Sequence, residues 1–183
     1  MMKYLKIFLV IILIFCFFGG GFYMYKKPHT VVFIGDSITY YGDNLEEGFI
    51  QQLRKQLPDK INIISAGIPG ETSDQILARM ENDVINNNPE VVYILAGIND
   101  ICWEPDRTYH VILNNISQMV DNALEHNIKP VILSLTLYTE DFEGEKNIKI
   151  DEFNEMLKNF SMEKNIQFID INTPLKDEIR NRN

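Results

Sequence analysis

Cysteine and histidine are scarce: 183 residues hold two of the first and three of the second. Cys16 lies in an apolar run and Cys102 in the remainder, so no disulfide can form within the globular part, which must hold together by its core. Cys102 has no histidine in a recognisable partner motif and reads as a small packing residue. The histidines, His29, His110 and His126, are too scattered for the clustered ligands of a metal hydrolase. No Gly-x-x-x-x-Gly-Lys-Ser/Thr string occurs, which removes the P-loop nucleotide binders. Positive charge is also short. Lys3, Lys6, Lys26 and Lys27 account for every basic residue of 1–27, where there is no acid; the remaining chain carries 13 basic against 26 acidic residues, a net charge of −13. Such a surface repels phosphate backbones, so nucleic acid is excluded as a partner.

What is abundant near the start is hydrocarbon. "IFLVIILIFCFFGGGFYMY", residues 7–25, runs 19 positions without a charge, flanked by lysines on both sides. That length suffices to cross a bilayer core of about 30 Å and exceeds an ordinary signal-peptide core. No A-x-A-like cleavage site follows it, and Phe15 rather than a small residue precedes Cys16. We read residues 1–27 as an uncleaved signal anchor, with a cleaved signal peptide or a buried core helix as the alternatives. The domain of residues 28–183 is expected to face outward, and to be secreted if the segment is removed.

From Val31 onward the pattern alternates. Short, continuous apolar runs fall at 31–35, 61–65, 91–96, 130–135 and 166–171, as strands covered on both faces require. Between them lie segments of helical period. Phe49, Ile50, Leu53 and Leu57 share one face; so do Ile76, Leu77, Met80 and Val84; so do Ile112, Leu113, Ile116, Met119, Val120 and Leu124; and Ile150, Phe153, Met156, Leu157 and Phe160 complete the set. Five alternations of strand and helix predict right-handed crossovers and a three-layer α/β/α sandwich around a parallel sheet of about five strands. Residues 136–147 form one long polar loop in this reading.

Ligands of such sheets bind beyond the carboxyl ends of the strands. Three of those exits carry small and polar residues: Gly35-Asp36-Ser37-Ile38-Thr39, then "SAGIPGETS" with Gly67 and Gly70, then "AGIND" with Gly97, Asn99 and Asp100. Each alone is an ordinary turn or helix cap. Together they hold what acyl transfer needs, a nucleophile and donors placed where a carbonyl oxygen becomes negative. Ser37 supplies a hydroxyl and its own N–H, Gly67 allows close approach of a backbone N–H, and the Asn99 amide offers a third donor. A haloacid-dehalogenase-like phosphatase also starts with an acid after an apolar strand, but the second acid it needs two residues on is here Ile38.

"GDSIT", Gly67 in "AGIPGETS" and "GIND", in this order and each at a strand exit, resemble the first three sequence blocks of the SGNH hydrolases, also called GDSL-type esterases and lipases. The resemblance runs from about Val31 to the end of the chain. It implies a flavodoxin-like fold, a serine nucleophile at Ser37, an oxyanion hole made by the N–H groups of Ser37 and Gly67 with the side chain of Asn99, and no cofactor. It further implies carboxylic ester substrates, from acetyl groups on carbohydrates to lysophospholipid or thioester acyl chains.

One block of that pattern is not found. The family's Asp-x-x-His, whose histidine is the base for the serine, has no counterpart here: none of the three histidines has an aspartate three residues before it. The sequence is therefore expected to be either an incomplete product or a naturally shortened member, with little hydrolase activity as written, since losing the histidine of comparable triads costs on the order of 10⁶ in rate. A membrane-tethered, non-catalytic module that binds esters or carbohydrate is the second reading. Trp103 and Tyr109 in "ICWEPDRTY", with Tyr138 and Phe142 of the polar loop, are the expected rims of the pocket, placed to stack on a sugar or to line an acyl groove.

Overall fold

The computed structural model describes residues 29–58, 60–139 and 144–181. The signal-anchor segment and Phe142 lie outside these residues. Among the described residues no helix is long and apolar enough to cross a membrane.

Five strands form one sheet: β1 (His29–Gly35), β2 (Ile61–Gly67), β3 (Val91–Leu95), β4 (Lys129–Leu133) and β5 (Gln167–Ile169). All are parallel, in the order β2-β1-β3-β4-β5. The helices are α1 (Ser37–Asn44), α2 (Phe49–Gln56), α3 (Ser73–Ala78), α4 (Met80–Asp83), α5 (Ile98–Trp103), α6 (Tyr109–Glu125), α7 (Glu145–Lys164) and α8 (Asn172–Arg180), with a 3-10 turn at Ile85–Asn87.

Period-two alternation along each strand feeds two cores. Val32, Ile34, Val92, Ile94 and Ile132 meet Ile76 of α3, Met80 of α4, Ile112 and Ile116 of α6, and Phe153 and Leu157 of α7. Val31, Phe33, Tyr93, Leu95, Val131 and Leu133 point to the other face, against Ile50 and Leu53 of α2. There Phe33 stacks on Tyr93 with ring centroids 4.4 Å apart and meets Phe49 edge-on at 5.7 Å. Full burial of an aliphatic side chain contributes about 1.5–3 kcal/mol, several times any helix propensity, so packing rather than local preference holds the short α2 in place.

Three details differ from the periodicity. The helix expected to run through residues 73–85 is broken at Arg79, whose backbone leaves helical geometry (φ −107°, ψ 7°); Ile76, Met80 and Val84 stay buried on either side. Leu124, expected on the buried face of α6, is 45% exposed one residue before that helix ends at Glu125. The polar loop is shorter than expected, since α7 already begins at Glu145.

Candidate active site

The connection after β1 leads to one neighbour, β2, and the chain then crosses back to β3 on the other side, so β1 and β3 flank the crevice where ligands of open sheets bind. Gly35, the last residue of β1, pairs in register with Gly67 at the end of β2 and with Leu95 at the end of β3. Ser37 follows Gly35 by two residues, and Asn99 follows Leu95 by four. Three neighbouring strand ends thus carry the three residues expected from sequence.

Ser37 is the first residue of α1 and half-buried. Asp36 caps that helix, its Oδ1 accepting from the Ile38 N–H at 2.9 Å. The Ser37 N–H belongs to the unpaired first turn, where the helix dipole favours negative charge. Gly67 lies hard against that same turn: a Cβ on it would stand 2.2 Å from the Tyr40 nitrogen and 2.7 Å from the Thr39 carbonyl carbon. Only glycine lets β2 end there.

Asn99, on the first turn of α5, is buried and donates from Nδ2 to the Glu71 carbonyl at 2.8 Å. An amide nitrogen has two hydrogens, so this bond orients the group and leaves the second donor. Entry into α5 needs Gly97, whose φ of +119° is a left-handed conformation and whose Cβ would fall 2.9 Å from Ile112 Cγ2.

Around these residues is a buried polar frame that the sequence reading did not pick out. Arg79 donates to the Gly35 carbonyl at 2.8 Å and pairs with Glu71 and Asp83, each at 2.6 Å, so one guanidinium joins the end of β1 to the loop that holds Asn99. Ser73 donates to Asp100 from both its N–H and its hydroxyl at 2.8 Å, and accepts from Asn115 Nδ2 at 2.9 Å. Arg107 approaches Asp100 at 3.4 Å and pairs with Asp74 at 2.7 Å. The one local signal was the capping box Thr72-x-x-Gln75 at the start of α3, which the structure forms. Nothing in the periodicity shows that Ser73, Asp100 and Asn115, on three different helices, meet.

Burial sets the charge state of this frame. Asp36 is fully buried with Oδ2 unpartnered. Its pKa is pushed up to about 7 by desolvation, with Asp100 adding to the rise and the Ile38 N–H and Arg79 opposing it. Desolvation raises Asp100 too, against its bonds from Ser73 and the charge of Arg107. The Cys102 thiol is buried and likewise raised by desolvation, the state of an inert packing cysteine.

The histidines are not gathered at Ser37. His29 opens β1, about 20 Å of extended chain before Gly35, and bonds Glu90 at 2.6 Å. His126 follows α6 and bonds the Asn122 carbonyl at 2.8 Å. His110 is exposed on the first turn of α6. Of the expected rim residues, Trp103 is 61% exposed at the end of α5, whereas Tyr109 packs on Phe153 and donates to Glu152 at 3.1 Å.

Comparison with known proteins gives this arrangement a lineage. The chain is 27% identical over 173 residues to an acetylxylan esterase of Geobacillus stearothermophilus, covering 82% of this chain and 79% of that protein. It is 25% identical over 115 residues to an uncharacterized lipoprotein, YqeF, of Bacillus subtilis, covering 57% of this chain and 47% of that one. A GDSL-like lipase from Bacteroides thetaiotaomicron superposes with a TM-score of 0.67 at 28% identity, over 80% of this chain and 70% of that one. The sequence profile of the GDSL-like lipase/acylhydrolase family matches residues 33–183, and this chain belongs to that family.

Proposed function

We propose that this chain is the scaffold of a membrane-anchored serine esterase acting on acyl groups, acetyl groups on carbohydrate foremost. Ser37 is the nucleophile in this reading. The N–H groups of Ser37 and Gly67 and the second amide hydrogen of Asn99 receive the oxygen that becomes negative as the hydroxyl adds to the ester carbonyl. The observation that carries the reading is the fixing of Asn99: its amide is buried, held from one side by the Glu71 carbonyl, and set at the strand end beside Ser37. Donors held in advance need no reorganisation when charge develops, and each contributes about 2.7–4 kcal/mol to lowering the barrier. The acetylxylan esterase relative supports acetylated carbohydrate as the substrate class. Residues 7–25 tether the domain to the membrane by the length of that charge-free run, with the domain facing outward.

The base is the open part of the site. No Asp-x-x-His lies within the 183 residues, and the histidine environments described leave Ser37 without an imidazole partner. A serine without one stays protonated, so these residues by themselves turn over esters slowly. That same observation favours the second reading, a module that binds esters or carbohydrate without hydrolysing them. The two separate when the chain is incubated with an activated acetate ester, alone and with an Asp-x-x-His segment appended from a related esterase. The esterase reading expects slow turnover that rises by several orders of magnitude on addition of the segment and is abolished by Ser37→Ala. Binding without turnover in the extended protein would establish the module instead.

A further inference from the structure

One helical turn beyond Asn99 the same short helix ends in a tryptophan that folding has left in solvent. Trp103 lies four residues beyond Asn99 on α5, a rise of roughly 6 Å along the helix that carries the proposed oxyanion donor. Trp103 is 61% exposed although its neighbour Cys102 is buried. Its surroundings are ordered and polar. The Lys146 ammonium sits 3.8 Å from the Trp103 ring centroid and 4.3 Å from that of Tyr138, and the two rings meet edge-on at 6.0 Å. Tyr138 is fixed by the residue next to Lys146: buried Asn147 accepts from the Tyr138 N–H at 2.8 Å and donates to its carbonyl at 2.7 Å. Just past Trp103 in sequence, a cavity of about 250 Å³ is lined by Ile101, Glu104, Pro105, Arg107, Thr108, Tyr109 and Lys149.

We infer that Trp103, Tyr138 and Lys146 form a carbohydrate subsite at the rim of the esterase crevice, holding a neutral pyranose ring of the O-acylated substrate so that its ester reaches Ser37. The inference deepens the proposed function and rests on it for the position of the ester. The chemistry discriminates between the two ligands such a rim could take. A pyranose offers C–H groups to the open part of the indole and hydroxyls to the ammonium and to the charged and hydroxyl groups of that cavity. An acyl chain would have to desolvate the Lys146 ammonium over the two rings with nothing to offer it in return. The clamp of Asn147 on the Tyr138 backbone means that the platform is set before the ligand arrives, which lowers the cost of binding.

Trp103 is the single tryptophan of the chain, so its emission reports on this site alone. The experiment titrates the Ser37→Ala chain, which cannot consume the probe, with partially acetylated xylotetraose and, separately, with palmitoyl lysophosphatidylcholine below its micelle concentration. The expected result is a saturable change in emission with the oligosaccharide only, with affinity falling about tenfold in Lys146→Met and in Tyr138→Ala. Calorimetry on Trp103→Ala should show a loss of about tenfold or more, largely recovered in Trp103→Phe, which keeps a ring. Saturation by the lysolipid instead, no saturation by the oligosaccharide, or unaltered oligosaccharide affinity in Trp103→Ala would overturn the inference. The esterase reading fails separately. Phosphonylation of Ser37 by a small fluorophosphonate in the protein extended with the Asp-x-x-His segment reports the ester chemistry without a sugar; its absence there, with oligosaccharide binding intact, would remove the ester chemistry and leave the sugar site standing.

Discussion

The carboxyl ends of β1 to β3 and the carboxyl end of β4 treat buried polar groups in opposite ways. Beyond β4, α7 contributes two buried asparagines that lie against irregular backbone and fill its hydrogen bonds completely. Asn154 accepts from the Leu135 N–H at 2.7 Å and donates to the Leu135 carbonyl at 3.0 Å, and Asn147 does the same for Tyr138. Each replaces the partner a strand would have supplied. Beyond β1 to β3 the capacity is left partly open. Among the described residues Asn99 makes one hydrogen bond, and Asp36 Oδ2 has no hydrogen-bond partner. Leaving a buried polar atom unpaired costs about 1–3 kcal/mol, a cost borne at Asp36 Oδ2 beyond β1 and at Asn172 Oδ1 beyond β5, whereas the asparagines beyond β4 avoid it. The same residue type therefore does different work in the two places, and only the filling of its bonds distinguishes them.

The sharpest way to break this contrast is to exchange the fates of the two kinds of asparagine. In the protein extended with the Asp-x-x-His segment, Asn99→Ala should slow phosphonylation of Ser37 by about 10²–10³-fold while moving the unfolding midpoint little, because the lost donor acts on the transition state. A drop in stability with an unchanged rate would place Asn99 among the structural clamps.

Asp36→Asn gives the next largest effect, and its sign depends on pH. An unfolded Asp36 loses its proton near pH 3.8, whereas the folded group holds its proton up to about 7. Between those values the native chain binds the extra proton, so its stability falls as pH rises through that window and stays low above it. Asparagine keeps the acceptor for the Ile38 N–H and removes the titration. The variant should match the parent near pH 4 and be more stable at pH 8, by an amount on the order of a few kcal/mol. Urea unfolding at the two pH values measures it; a parallel loss at both would mean that Asp36 is held as a charged cap. Smallest is Asn154→Ala, which should cost about 1–3 kcal/mol by freeing the N–H and carbonyl of Leu135, with Ser37 phosphonylation within about twofold of normal.

The sheet was legible because β1, β3 and β4 bury both faces and so appear as unbroken apolar runs, and the partly exposed edge strands β2 and β5 carry apolar runs too; all five overlap those runs. Helices α2, α6 and α7 were legible by their stripes. Less so was the interruption at Arg79, since Ile76, Met80 and Val84 keep a helical stripe across it while the side chain leaves to bond Gly35 and Glu71. Helices α1 and α5 were hidden for a different reason. They are short and carry Ser37 and Asn99 in place of a full apolar face, so the motif was visible and the helix was not. The frame of Ser73, Asp100, Asn115, Arg79 and Arg107 could not be read at all, because it is made of contacts between residues up to 44 positions apart. Spacing along the chain says nothing about such meetings.

The most direct test of the convergence at Ser37 is a crystal structure of the chain after reaction with a small fluorophosphonate at alkaline pH, where hydroxide can remove the Ser37 proton. A single adduct on the Ser37 Oγ is expected, with its phosphoryl oxygen about 2.7–3.1 Å from the nitrogens of Ser37 and Gly67 and from Asn99 Nδ2. An adduct on any other residue, or a phosphoryl oxygen turned to solvent with the Asn99 amide facing away, would contradict it.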